Sequence, residues 1–559
     1  MTPDIYLVAS GDSRLPANQQ CWPAQHALET TVARVFGEFD RRVVRGHPVD
    51  PVAGHGFIDG QARGIEVFRG IDPDVALIVA TAVWQYTSHV LPGLIRHRGP
   101  ILTLANWSGQ WPGLVGLLNL NASLTKAGVR YSTVWSEDFE DEFARHAIKS
   151  WLATGCIEHD LSHVRPFDGV MASDRAGATE DRGRQLARQL REQQAIIGVF
   201  DEGCMGMFNA IIPDHLLHAI GVFKERLSQS ALYAAMLTTS DEVARCHYRW
   251  LLSRGMRFRL GTDEATELTE AQVLEGLKMY DAAVRMTEQF GCAAIGIQYQ
   301  QGLKDVCVAS DLAEGLLNNP VRPPVRGADG ATLFDGLPVP HFNEVDEGAG
   351  LDALLTNRVW SDLGLDPATT LHDVRFGERM DRHGVHDFVW LFEISGAVPP
   401  NHLIGGYAGA VGERQPPMFF PRGGSTIKGV SRPGEIVWSR IYVEADRLHM
   451  DIGRGGVVSL PAEEHERLWS LTTEQWPIMT VVLYGITRNQ FMAKHKANHI
   501  QVVYAPDAAG ALEALMLKAT MARELGIRVN LCGNLDDRLE NHQAREECAW
   551  EAADSRTQV

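Results

Sequence analysis

Three separated stretches of this 559-residue chain hold the side chains best suited to chemistry. "PVPHFNEVDEGAGLDALL" (338–355) reads as a short strand, then acids, then glycines opening a helix. Glu344 would stand at that strand's carboxyl end, where open α/β sheets place ligand sites. Asp346 and Glu347 read as acids complementing a helix N-terminus. "TTLHDVRFG" (369–377) places Asp373 in a turn of polar residues, where Asp is ordinarily a turn former. "MAKHKANHIQVVY" (492–504) sets His499 immediately before a strand, just after Lys494, His495 and Lys496. A single histidine there is ordinarily structural, and the basic cluster could be a solvated face, a metal site or a pocket for an anion. No one of these stretches decides the chemistry by itself.

The elements that must position them follow two rhythms. Through about residue 355, the strand-like runs "DIYLVAS", "VALIVATAV", "PILTLAN", "AIIGVFD" and "AAIGIQY" alternate with amphipathic helices, which predicts parallel sheets with crossover helices. The clearest helix starts at Thr269, where Thr269 and Gln272 make a capping box; Val273, Leu277, Tyr280 and Val284 share one face until Gly291 stops it. Polar "DGVMASDRAGATEDRGR" (168–184) separates two such α/β repetitions. After about 360, "DFVWLFEIS", "GEIVWSRIYVEA" and "RLHMDIGRGGVVSL" read as antiparallel strands joined by turns, with Asp507 as the cap of a later helix. The expected fold class is α/β, with two doubly wound parallel-sheet domains (1–168 and 169–358) and a β-rich C-terminal domain (359–559). "PPVRGADGATLFDGLP" and "PPNHLIGGYAGAVGERQPPMFFPRGG" are loops long enough to expect function from them.

Composition narrows the class. A net charge of −18 disfavours nucleic acid, whose binding needs a basic stripe. No apolar run reaches the roughly 18 residues of a membrane span, and the N-terminus lacks the pattern of a signal peptide. Eight scattered cysteines without a CxxC fit reduced thiols in a cytoplasm.

In this order, the three stretches resemble the L-fucose isomerase family. "EVDE" (344–347) is similar to that family's "ENDS", "HDVR" (372–375) to its "ADVR", and "KANHI" (496–500) to its "GANHG". "MGMFNAIIPDHLL" (205–217), "GIQYQQ" (296–301), "ISG" (394–396) and "EQWPIMT" (474–480) add shorter likenesses, and the resemblance is weaker before about residue 195. It implies that Glu344, Asp373 and His499 bind a divalent metal, manganese in the family, with Co²⁺ or Mg²⁺ as alternatives. One imidazole and two carboxylates suit such an octahedral ion. The implied activity is aldose–ketose isomerisation through a cis-enediol held by the metal, with Glu344 and Asp373 as the acid and base. The same likeness offers Arg14, Trp84, Gln298, Gln300, Ser395, Trp476 and Asn498 as sugar contacts, and it implies a homo-oligomer, commonly a hexamer.

Two departures from the family touch the substrate rather than the metal. Lys494, His495 and Lys496 stand where the family has neutral Asn and Trp side chains, and Gly424 replaces a pocket tyrosine. Clustered cations would recognise a sulfonate, phosphate or carboxylate through charge-assisted hydrogen bonds. The expected substrate is therefore an aldohexose with an anionic group, such as sulfoquinovose isomerised to 6-deoxy-6-sulfofructose. A neutral sugar (L-fucose, D-arabinose or L-arabinose) is the alternative. A non-catalytic sugar-binding protein and a metal hydrolase are further readings.

Overall fold

The computed structural model describes residues 5–168 and 176–543. The chain is mixed α/β, and its described residues form two larger parallel sheets, one mixed sheet and a two-stranded parallel pair. The first sheet holds β1 (Ile5–Val8), β2 (Val43–Arg45), β3 (Leu77–Thr81), β4 (Ile101–Asn106) and β5 (Ser132–Ser136), in the order β2-β1-β3-β4-β5 and parallel throughout. Its strands read as unbroken apolar runs because both faces are covered. Leu7, Ile78, Leu102 and Val134 pack toward the helices Leu15–Gly37 and Glu142–Thr154, while Val8, Leu77, Val79 and Ile101 pack on the opposite side.

A short strand, β6 (Val164–Pro166), leaves this sheet for the edge of the third one. The second sheet joins β7 (Ala195–Phe200) and β8 (Val222–Leu227) to a later strand. After the two-residue β9 (Arg257–Phe258) comes that strand, β10 (Cys292–Ile297), and the parallel order is β10-β7-β8. The helix before β10 forms as its sequence predicts: Thr269 caps Glu270–Gln289, Gln272 returns the bond, and Gly291 takes a φ of 62° just beyond the end.

The third sheet takes β11 (Thr369–Arg382), β12 (Val385–Glu393), β14 (Gly434–Glu444), β15 (Arg447–Val457), β16 (Ile478–Leu483), β17 (His499–Tyr504) and β18 (Arg528–Cys532), while β13 (Val411–Gly412) pairs with β9. Its order is β14-β17-β11-β12-β16-β15-β18-β6, and β14 also pairs with β15. Six antiparallel strands therefore close on themselves as a small barrel, with β18 and β6 extending it from β15. Trp390, Trp438, Phe491, Met479 and Ile500 belong to one packed cluster there, as small barrels require.

Three local expectations change. "TTLHDVRFG" is not a turn but the first part of β11, because its alternate side chains are held by partners on both sides. "PVPHF" makes only an isolated bridge, His341 to Ile295, rather than a strand. Residues 169–175 of the expected boundary stretch lie outside the described residues, and from Ala176 onward it is helical (Ala176–Gln193), with Leu186, Ala187 and Leu190 packed in the cluster that holds Ala514 and Met521. No helix of the described residues is long and apolar enough to cross a membrane.

Candidate functional site

Asp373 and His499 face each other as register partners on β11 and β17, and Asp373 is also opposite Glu393 on β12. A register irregularity follows at Val374–Phe376, the sort of bulge that re-aims side chains beside a site. Glu344 arrives from the turn after the His341 bridge, in a left-handed backbone with φ 57°, and Val345 follows with φ 54°. Such conformations cost β-branched residues and persist only where the surroundings hold them. Here Asp346 does so, capping helix Glu347–Asp362 through Ala349 N.

The three sequence-identified groups converge. His499 Nε2 lies 3.6 Å from Glu344 Oε2 and 3.5 Å from Asp373 Oδ1. Both His499 Nε2 and Asp373 Oδ1 are buried without a hydrogen-bond partner. On its other side, His499 Nδ1 meets Asp346 Oδ2 at 2.8 Å, and Arg440 holds Asp346 with two bonds of 2.7 and 2.9 Å. Arg440 keeps Asp346 an acceptor, so Nδ1–H donates to it and Nε2 points at the two acids. This carboxylate–histidine arrangement is what orients a metal-ligating imidazole.

Donors held about 2.0–2.6 Å from one hard cation at near-octahedral angles sit roughly 3–3.7 Å apart, which the measured separations match. Among the described residues no group of three or more His, Cys, Asp and Glu side chains is drawn in closely enough to hold a metal ion as it stands. The trio is open, and its unpartnered nitrogen and oxygen fit a divalent ion. Asn498, fully buried, lies against Asp373 and bonds Met207 Sδ at 3.2 Å.

The electrostatics follow from burial. Burial pushes the Glu344 carboxyl up to about 7; His499 opposes this, while Asp373 and Asp311 reinforce it. Asp373 is likewise raised by burial against the pull of His499 and Arg375. For His499, burial would lower the pKa, but Asp346, Asp373 and Glu344 together raise it. Burial would raise Asp346, yet Arg440 and His499 hold it well below the ordinary carboxylate range.

A pocket opens over Glu344 and Asp373, lined also by Arg14, Trp84, Pro112, Met205, Gln300, Ser395, Phe419, Phe420 and Trp476. Five of the expected sugar contacts are therefore on its wall: Arg14, Trp84, Gln300, Ser395 and Trp476. Arg14 is already engaged. Its Nε and Nη2 bond Asp12, its Nη1 donates to Gln300 Oε1 (2.6 Å) and Phe419 O (3.1 Å), and its guanidinium lies 4.9 Å from the Phe419 ring centre. Trp476 donates to Gln415 Oε1 (2.8 Å) and stacks near Phe419. Gln298 lies just past the end of β10, behind the pocket wall, where its Oε1 accepts from Gln300 N at 3.0 Å.

The basic cluster does not reach this pocket. Lys494, which ends helix Arg488–Lys494, bonds Asp451 and Tyr442 OH, each at 2.8 Å. Lys496 Nζ meets Tyr131 OH at 3.0 Å. Burial drives the His495 pKa down to about 3, so this ring is neutral; it stacks on Phe491 and donates to His499 O at 2.9 Å. Within this chain these three residues are tied to other side chains and to the backbone of β17. Gly424 also has a local cause. It sits at φ 113°, and a Cβ there would come within 2.6 Å of Ala309 N, so the tyrosine of the resembling family has no room. Phe419 and Phe420 supply the aromatic wall instead.

Sequence reasoning missed Asp346 and Arg440, because an acid that caps a helix shows nothing of its second bond to a histidine 153 positions away. It missed Phe419 and Phe420 too, although the paired aromatics in a long loop were a usable signal. Comparison with protein-family models and with curated proteins returns no match for this chain.

Proposed function

We propose that this protein is a metal-dependent aldose–ketose isomerase of the L-fucose isomerase type. The observation that carries the reading is the open trio of Glu344, Asp373 and His499, with an unpartnered buried nitrogen and oxygen beneath a largely apolar pocket. A divalent ion such as Mn²⁺, Co²⁺ or Mg²⁺ bound by those three would polarise the oxygens on C1 and C2 of a sugar and favour the enediol. Asp346 and Arg440 hold His499 in the ligating orientation. Glu344 and Asp373 then share the movement of one proton between C2 and C1. Trp84, Trp476 and Phe419 offer flat apolar faces to the sugar's C–H groups and keep water from the reacting carbons.

The lining favours a neutral aldose, such as L-fucose, D-arabinose or L-arabinose, over an anionic one. Its single cation, Arg14, is balanced by Asp12, and Lys494 and Lys496 bond elsewhere. The remainder of the family pattern belongs to the same proposal: two doubly wound α/β domains (1–168 and 169–358), a β-rich C-terminal domain (359–559), a cytoplasmic location and a homo-oligomer, commonly a hexamer. The test is incubation with Mn²⁺ in D₂O with neutral, sulfonated and phosphorylated aldoses, following ketose formation and deuterium at C2. Turnover of a neutral aldose with deuterium incorporation supports the proposal. Turnover of sulfoquinovose alone reverses the substrate choice, and sugar binding without any ketose makes the protein a binding module.

A further inference from the structure

Behind the pocket, a smaller cavity is lined by Gln300, Ser310, Asp311, Glu314, Glu344 and Ser395, among others. Gln300, Glu344 and Ser395 also line the main pocket, so the two spaces share a wall. Asp311 is only 3% exposed and begins the short helix Asp311–Leu317. Its Oδ1 accepts from Ser395 Oγ at 3.1 Å, while its Oδ2 is buried with no partner. Ser395 is fixed from its other side as well: its carbonyl accepts from Gln415 Nε2, and Gln415 in turn accepts from the pocket residue Trp476.

A serine hydroxyl has one proton to donate and two lone pairs. With Asp311 ionised, Ser395 gives its proton to it and turns only acceptors toward the pocket, while Gln415 stands beside the same carboxylate. We propose that Asp311 is a positioning residue that makes Ser395 an acceptor for one specific substrate hydroxyl, so that the Asp311–Ser395 pair selects sugars carrying an O–H donor at that position. This rests on the reading of the pocket as a sugar site. A sugar lacking that hydroxyl leaves buried acceptors empty, which weakens binding roughly ten- to hundredfold.

The test measures binding by calorimetry, at pH 8.5, to the Mn²⁺-loaded full-length protein. The probes are L-fucose, D-arabinose and L-arabinose, and the monodeoxy derivatives of whichever binds tightest. Asp311→Asn, Ser395→Ala and the double variant are compared with the parent. Each single change weakens the parent sugar roughly ten- to hundredfold, and the double variant is no worse than the weaker single. One monodeoxy derivative binds the parent protein and Asp311→Asn equally. Losses that add in the double variant, or an Asp311→Asn loss of equal size for every deoxy derivative, overturn the pairing and mark a merely structural role. If Asp311→Asn fails to fold, Ser395→Ala with the deoxy series carries the same prediction. Selective binding without ketose formation leaves the pair standing while sinking the isomerase, turnover with additive losses sinks the pair alone, and no binding of any sugar sinks both.

Discussion

Replacing Asp346 with Asn is the most searching perturbation of the site, because it is nearly isosteric and breaks one defined relay. Asp346 accepts from Arg440 Nη1 and Nη2, from His499 Nδ1 at 2.8 Å and from Ala349 N at 3.1 Å, and both Asp346 and Arg440 are within 1% of full burial. An amide nitrogen in place of Oδ2 sets a donor against two donors and leaves the Arg440 charge buried without its counterion. Breaking a buried pair in this way costs about 3–5 kcal/mol of stability. The helix cap survives on Oδ1, which spares about 1 kcal/mol. Loss of the group that orients a ligating histidine lowers metal affinity about 10–100-fold. Denaturant unfolding in chelator reads the first quantity, and calorimetric titration with Mn²⁺ reads the second. Arg440→Met is the control: it removes one of the two groups that hold Asp346 ionised and leaves the other, His499, so it loses stability and keeps more of the metal affinity than Asp346→Asn. An Asp346→Asn protein within about 1 kcal/mol of the parent, binding Mn²⁺ as tightly, would refute the relay.

Other outcomes follow from the same geometry. Burial pushes Glu344, Asp311, Glu347 and Glu393 up to about 7, so between their ordinary range and pH 7 each holds a proton in the native state that the unfolded chain has lost, and each contributes a loss of stability as pH rises; the buried His47, His341, His372 and His495, driven down to about 3, contribute a gain over the same window. A divalent ion offsets the charge on Glu344 and Asp373, so the increase in Tm that Mn²⁺ produces grows from pH 5.5 to 8; a flat or shrinking increment would contradict this. Lys496→Met, altering a group outside the pocket, changes kcat/KM less than about twofold, and a steep rise in KM would restore the anion reading. Gly424→Ala meets both a left-handed backbone and the Ala309 amide, and it lowers unfolding stability by about 1–3 kcal/mol; an unchanged midpoint in denaturant would count against the described loop.

Local signals carried much of the fold. Thr269 with Gln272 gave a helix start correctly because capping is decided within four residues. The apolar runs around Ile78 and Leu102 gave buried parallel strands because both faces of that sheet are covered. Asp373 misled because polar neighbours resemble a turn, whereas its strand conformation is imposed by β12 and β17, more than 15 and 120 positions away in sequence. The partners of the basic residues were hidden for a related reason. Spacing shows that Lys494 and Lys496 are close together but not that Asp451 and Tyr131 wait for them. The closure of the barrel also lay beyond the sequence: the turn between β14 and β15 signals their pairing, but not that β17 enters between β14 and β11 or β16 between β12 and β15.

The pairing of Asp373 with His499 gives the site a second meaning, as a quality control on assembly. Side chains alternate across a strand, so slipping β17 by one residue against β11 would turn His499 to the opposite face and take Nε2 away from both acids. Two of the three candidate ligands are thus spaced by backbone hydrogen bonds rather than by flexible side chains, and the third, Glu344, stands on a left-handed turn outside that pairing. On the proposed reading, a chain that bound a metal through all three would have β11 and β17 in register, and stoichiometric metal content would then report correctly assembled molecules in a preparation.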